Sequence, residues 1–188
     1  MSAVDLRATR RGEIVAVARQ LIVEGGLEGL SIGRLEKRLP YTRGVITHHF
    51  ANRDDIVDAV LDDAVEEIDR ATEEQAVRGM ARGEQILAVL RTKVHGFLEH
   101  PEATQILLAF ATRPPGDARA AAVEAQIFAR YRAESSKLFR HHPDVDAFAA
   151  LMVGTVIGLV VQIRLGADLP ADPAIEVAAQ ALARRAGV

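Results

Sequence analysis

YTRGVITHHF, residues 41–50, gathers three hydroxyls, a guanidinium, a glycine and two imidazoles, then ends on phenylalanine. On a helix these residues divide by face. Ile46 and Phe50 lie four apart on one side, while Thr42, Arg43, Thr47 and His48 present hydrogen-bond donors elsewhere. An apolar anchor beneath polar groups is a surface built to touch something. The imidazoles do not make a metal site, because adjacent residues on a helix point about 100° apart and cannot chelate one ion as an i, i+4 pair does.

The flanks say what is touched. Upstream, Ile14, Val17, Ala18, Leu21 and Ile22 form the stripe of an amphipathic helix over residues 10–24, which the glycines of GGLEGL, residues 25–30, bring to an end. Ser31 supplies an N-cap for a short helix, SIGRLEKRL, and Pro40 terminates it by pushing Leu39 out of helical dihedrals. Downstream, Asn52 caps a long helix from Arg53 whose stripe is Ile56, Val60, Leu61, Ala64, Val65 and Ile68. Two short helices joined by a tight turn and braced by a preceding helix make a helix-turn-helix, which enters the DNA major groove with its second helix. Leu35, Leu39, Ile46 and Phe50 then face inward. Thr42, Arg43 and Val45 are placed near base edges, and Ser31, Thr47, His48 and Arg53 near phosphates. Tyr41 completes the contact set with Gly44, whose small size lets the backbone approach the duplex.

Composition agrees with a soluble globular chain: of 188 residues, 49% are hydrophobic and 26% charged. Cysteine is absent, which excludes disulfides, thiolate metal sites and cysteine nucleophiles. No apolar segment follows the basic residues of the N-terminus, so a cytoplasmic location is expected. The apolar run at 147–161 falls short of the roughly 18 residues of a membrane span and reads as a buried helix. Residues 1–53 hold nine Lys/Arg against five Asp/Glu, while residues 54–188 hold fourteen against twenty-one. A basic head on an acidic body points the head at nucleic acid.

The periodicity predicts further helices over 84–99, 102–112, 117–140, 144–165 and 173–186, with prolines at the joints and no strand pattern; the long helix is expected to end within 70–83. The fold class is therefore all-α, about nine helices. It comprises an N-terminal three-helix head, residues 1–53, and a C-terminal helical bundle for effector binding and dimerisation, residues 54–188. Arg7, Arg10 and Arg11 read either as a solvated tail or as an arm reaching for DNA. His95 with Glu99 has ligand spacing but reads as a surface pair, and His141 and His142 sit at a helix end. The acids Asp54, Asp55, Asp58, Asp62 and Asp63 scatter around an exposed helix face, and no nucleophile, phosphate-loop or zinc-protease motif occurs, so an enzyme is not expected.

In this register the first sixty or so residues resemble the N-terminal domain of the TetR family of bacterial transcriptional regulators. The family pattern around its recognition helix is matched by Thr42, Gly44, His48 or His49, Phe50 and Arg53. Three departures stand out: Pro40 where the family carries glycine in the turn, Glu36 for a close-packed alanine, and Thr47 for a phosphate-contacting tyrosine. The resemblance implies a homodimer on a palindromic operator, paired through the helices near 144–165 and 173–186, where Gly154 and Gly158 permit close approach and Ile175, Ala178, Ala179 and Leu182 form a stripe. It also implies an effector pocket in the middle helices. Its candidate lining is Leu90, Val94, Phe97, Ile106, Phe110, Ile127, Phe128, Tyr131, Met152, Thr155 and Val156, suited to an apolar or amphipathic small molecule whose binding releases the operator. Repression is expected, without a cofactor. The alternative is a helical protein-interaction module whose head does not bind DNA. If Arg43 reads a guanine, Arg43→Ala costs about 1–3 kcal/mol of operator binding and relaxes specificity at one position; equal weakening on every duplex makes it a phosphate contact instead.

Overall fold

The computed structural model describes residues 3–73, 79–114 and 116–188, with side chains from residue 8 onward. Among these residues all regular structure is helical. Helix α1 spans Ala3–Gly25, α2 Ile32–Arg38, α3 Arg43–His49 and α4 Arg53–Ala71. They are followed by α5 (Arg82–Glu99), α6 (Pro101–Ala111), α7 (Ala118–Val123), α8 (Ala129–Leu138), α9 (Val145–Arg164) and α10 (Ala171–Ala186). A π-helical turn, Glu124–Phe128, joins α7 to α8, so the helix expected over 117–140 is one rod with a wide turn inside it. The described residues thus hold the expected nine helical rods.

Helix α1 begins seven residues earlier than the helix expected over 10–24. Arg10 and Arg11 are consequently helical, not part of a tail or arm, and the side chain of Arg7 lies outside the described residues. The glycine link that follows is needed twice. Gly26 has φ +65°, and a Cβ on Gly29 would meet the Leu21 carbonyl oxygen at 2.4 Å. The rest of the link, Leu27–Gly29, is a 3-10 turn.

Helix α4 is the axis of the molecule. Ile56, Val60, Leu61, Ala64, Val65 and Ile68 are buried as the stripe predicts, and Val57 and Ala59 are buried too. The helix packs on α1 on one side and on α5, α6 and the π-turn on the other, which is why two faces are apolar. Its last residue is Ala71; the expected break in 70–83 begins there, and positions 74–78 lie outside the described residues. Helix α5 crosses the end of α4 at Gly96, where a Cβ would lie 2.6 Å from Thr72 Cγ2 and 2.9 Å from the Ala71 oxygen.

Helix α9 departs from the expected soluble-core helix. It runs for 20 residues and is long and apolar enough to cross a membrane by length and composition, yet only 33% of its most apolar window is buried. One side packs on α5, α8 and α10 through Phe148, Met152, Val156 and Val160. The other carries Leu151, Gly154, Thr155, Gly158 and Gln162, with Leu165 at the C-cap and Leu151 53% exposed. Among the described residues nothing packs within 4 Å of a Cβ built on Gly154 or Gly158, beyond their own stretch of helix. On α10, by contrast, Ile175, Ala179 and Leu182 are buried on α5, which uses that stripe internally and leaves Val177, 66% exposed, as the outward apolar group.

Gly96→Ala should destabilise the fold by about 1–3 kcal/mol through overpacking against backbone, visible as a lower Tm. An unchanged Tm would show that α4 and α5 separate freely at this crossing.

Candidate nucleic-acid interface

The helix-turn-helix forms where the sequence places it. Ser31 Oγ accepts from the Arg34 amide at 3.2 Å and starts α2; Leu39 closes it, its N–H donating to the Leu35 oxygen at 2.9 Å. Leu39 then adopts φ −105°, ψ 149°, the extended conformation that a following proline favours, and no non-glycine residue among those described has a positive φ. The turn with Pro40 is thus built from extended backbone, without a glycine. Thr42 stands at the N-cap of α3 with φ −74°, ψ 161°, and makes no side-chain cap there.

Two residues hold α3 down: Ile46 is buried completely and Phe50 nearly so. Leu35 is buried and Leu39 half-buried on the same core. Above them Thr42, Arg43, Gly44, Thr47 and His48 are exposed and Val45 is half-buried. Thr47 Oγ1 donates to the Arg43 oxygen at 3.0 Å, a bond its hydroxyl exchanges if it turns to donate outward. A Cβ on Gly44 would meet only Thr42 Oγ1, at 3.9 Å, so the protein itself does not require glycine there.

Helix α1 braces both ends of this element. Tyr41 donates its hydroxyl to the Glu13 carboxylate, and Arg10 lies 5.7 Å over its ring. That hydrogen bond raises the Tyr41 phenol above its ordinary pKa and keeps the hydroxyl neutral. At the other end Arg11 lies 5.0 Å over the ring of Phe50. Arg10 and Arg11, read from the sequence as either a solvated tail or an arm, instead stand over the aromatic residues that flank α3.

Several head cations have partners inside the protein. Arg38 forms a two-point pair with Glu24 at 2.6 and 2.8 Å, and Arg34 donates to the Gly29 oxygen at 3.0 Å. Arg53, placed near phosphates by its motif position, donates from Nε to the Leu30 oxygen at 2.9 Å and from Nη2 to the Leu27 oxygen. It ties the first residue of α4 to the glycine link.

In the body, ten of the eleven candidate effector residues gather in one region, on α5, α6, the π-turn, α8 and α9, while Thr155 lies on the outward side of α9. Nine are buried; Phe128 and Thr155 are half-buried, and Thr155 donates to the Leu151 oxygen of its own helix at 2.8 Å. They close on one another. Around Tyr131, Met152 and Val156 the free space is about 10 Å³, far below the volume of a formed ligand site.

The feature that the apolar stripes concealed is Lys93. It lies on the buried face of α5 between Leu90 and Phe97 and is 4% exposed. Its ammonium donates to the Thr72 oxygen at 2.8 Å and Glu134 at 2.9 Å, 4.0 Å from the centre of the Tyr131 ring. Tyr131 and Thr72 share a hydrogen bond, and burial pushes the phenol up to about 12. A lysine interrupting an apolar stripe was the available signal. The remaining histidines have other partners: His95 meets Asp172 at 3.2 Å, and His142 Nδ1 accepts from the Asp144 amide.

This geometry defines an all-helical protein with a helix-turn-helix head. Residues 14–60 match the family model described as bacterial regulatory proteins, tetR family. The HTH-type transcriptional repressor AcnR of Corynebacterium diphtheriae is 34% identical over 93 residues, half of this chain and 42% of that protein, so the match spans less than half of the relative's length. A transcriptional regulator from Rhodococcus shares the fold with TM-score 0.77 at 22% identity, over 95% of this chain and 98% of the other. AibR, solved with isovaleryl coenzyme A and operator DNA, superposes with TM-score 0.69 at 17% identity, over 92% and 97%. The head of the chain, over residues 14–60, is thus similar to the DNA-binding domain of TetR-family regulators.

Arg53→Ala should lower stability by about 1–3 kcal/mol by removing the charged donor shared by the Leu30 and Leu27 carbonyls, while the salt dependence of DNA binding stays constant. A salt slope reduced by about one unit would assign Arg53 to a phosphate.

Proposed function

We propose that this protein is a dimeric transcriptional repressor that reads a palindromic operator with α3 and releases it when a small apolar or amphipathic molecule occupies the body. The carrying observation is the arrangement of α3: Thr42, Arg43, Thr47 and His48 are exposed, and Gly44 is open, on a helix pinned from below by Ile46 and Phe50. Rigid donors at a helix N-terminal end, over a glycine that the protein does not need for packing, suit close approach to a duplex. In this reading Thr42, Arg43 and Val45 meet base edges, Ser31, Thr47 and His48 meet phosphates beside Tyr41, and Arg53 sets the angle between head and body. The head is residues 1–53 and the body 54–188, divided at the start of α4.

Two-fold operators call for a two-fold dimer. The stripe Leu151, Gly154, Thr155, Gly158 and Leu165 on α9, with Val177 on α10, is the surface assigned to it. Its small residues permit close helix crossing, and pairing would cover the apolar side that α9 leaves open. The effector proposal draws on AibR, a fold relative bound to both an acyl thioester and operator DNA. Release follows if the ligand prefers a body conformation that tilts α4 and misplaces the heads. No cofactor enters this reading, and the working place is the cytoplasm, where operator DNA is.

Selection of bound duplexes from a random pool, read by sequencing at several salt concentrations, tests the proposal. A palindrome should be enriched by the native chain and lost in Leu151→Glu, which should also run as a monomer on sizing. No enrichment at any salt concentration would overturn DNA reading and leave a protein-interaction module.

A further inference from the structure

Lys93 is the one buried charged side chain among the described residues. It sits between two spaces of opposite character. Outward lies a polar cleft of about 440 Å³, shared with Thr72, Arg130 and Glu134. Inward lies the tight apolar gap lined by Val89, Met152 and Val156, with Tyr131 at its edge. An ammonium without an anion in such a place is costly, so whatever occupies the inner site must leave Lys93 a negative partner.

Its present partner is replaceable. The Glu134 side chain is 25% exposed against 5% for Lys93, so the carboxylate reaches solvent while the ammonium does not. A second seat for that carboxylate is already built. Glu134 Oε1 lies 3.7 Å from Arg130 Nε, and this Nε is buried without a hydrogen-bond partner. A short rotation of Glu134 would satisfy it and vacate the place beside Lys93.

We propose that the effector is an anion, a carboxylate with a short apolar chain, whose head group replaces Glu134 on Lys93 as Glu134 moves to Arg130. The chain lies along Val89, Met152 and Val156, widening the gap between α5 and α9. A cation is refused by Lys93, and a neutral molecule cannot take over the charge that Glu134 gives up. The exchange acts on α4 directly: Lys93 also holds the Thr72 carbonyl at the end of α4, and Arg130 pairs with Asp69 one turn earlier. The inference rests on the ligand-responsive reading above and specifies the chemistry of its ligand.

The chain has two tyrosines, Tyr41 and Tyr131, and no tryptophan, so Tyr131 alone emits in Tyr41→Phe protein. Hexanoate and hexan-1-ol are titrated into this protein as probes of equal chain length. Hexanoate should change the emission saturably and hexan-1-ol should not. Added Lys93→Met should weaken the hexanoate response by more than about ten-fold, the effect of losing a charge-assisted bond. Lys93→Arg should retain it, and Glu134→Gln should strengthen it; circular dichroism melts verify that each variant is folded. Equal responses to acid and alcohol, an unaltered response in folded Lys93→Met, or no response to either probe would each overturn the proposal. Operator binding by the native chain is measured in parallel. Hexanoate that moves Tyr131 emission but leaves operator affinity unaltered would support the anion site and refute the ligand-responsive regulator reading.

Discussion

Burial of α4 on two sides is the constraint from which the rest of the structure follows. This helix continues the head into the body, and it is gripped at three levels. Arg119 of α7 pairs with Asp58 at 2.6 Å and Asp54 at 3.3 Å near its start. Arg19 of α1 pairs with Asp63 and Glu67 at 2.6 Å, and Glu67 also meets His100 at the α5–α6 junction. At its end stand Arg130, Tyr131 and Lys93. Magnitudes separate the roles of these contacts. Each buried Ile or Val contributes about 1.5–3 kcal/mol, while exposed ion pairs contribute about 0–1 kcal/mol. Apolar packing therefore holds α4 in place, and the ion pairs set its angle and register.

Burial opposes ionisation of Glu67, but hydrogen bonds from Arg19 and His100 overcome it and keep this carboxyl below its ordinary pKa. A group depressed in the folded state stabilises the fold above its unfolded pKa, and that contribution fades as pH falls through the folded value. The middle grip on α4 thus belongs to neutral pH and loosens in acid. The rod formed by α7, the π-turn and α8 carries both end grips, Arg119 and Arg130, with the wide turn lying between them against α4. A wide turn shifts the phase of the residues beyond it, which is how one rod can present side chains to the same neighbour at two distant points.

The head and α9 show the same economy with opposite outcomes. In the head, Arg10, Arg11, Arg34, Arg38 and Arg53 are engaged with rings, carbonyls or carboxylates, so a positive net charge overstates what is free to meet phosphate. In α9 the side carrying Leu151, Gly154 and Gly158 stays uncovered among the described residues, so hydrophobic composition overstates what the subunit core consumes.

The helical class, the helix-turn-helix and its faces were legible in the sequence, because period, caps and prolines act locally. Ser31, Asn52 and Pro40 do in three dimensions what their chemistry dictates at short range. Other features depend on residues far apart along the chain. That Arg10 and Arg11 brace Tyr41 and Phe50, that Arg53 answers carbonyls of the glycine link, and that the α10 stripe packs inside the subunit were all settled by tertiary contacts. Lys93 marks the boundary between the two kinds of information. Its place on an apolar stripe was visible in the sequence, but its partners Thr72 and Glu134, 21 and 41 residues away, were not. Pattern reports which face a residue occupies; only packing decides what the face meets, because a buried charge takes its meaning from the groups that surround it.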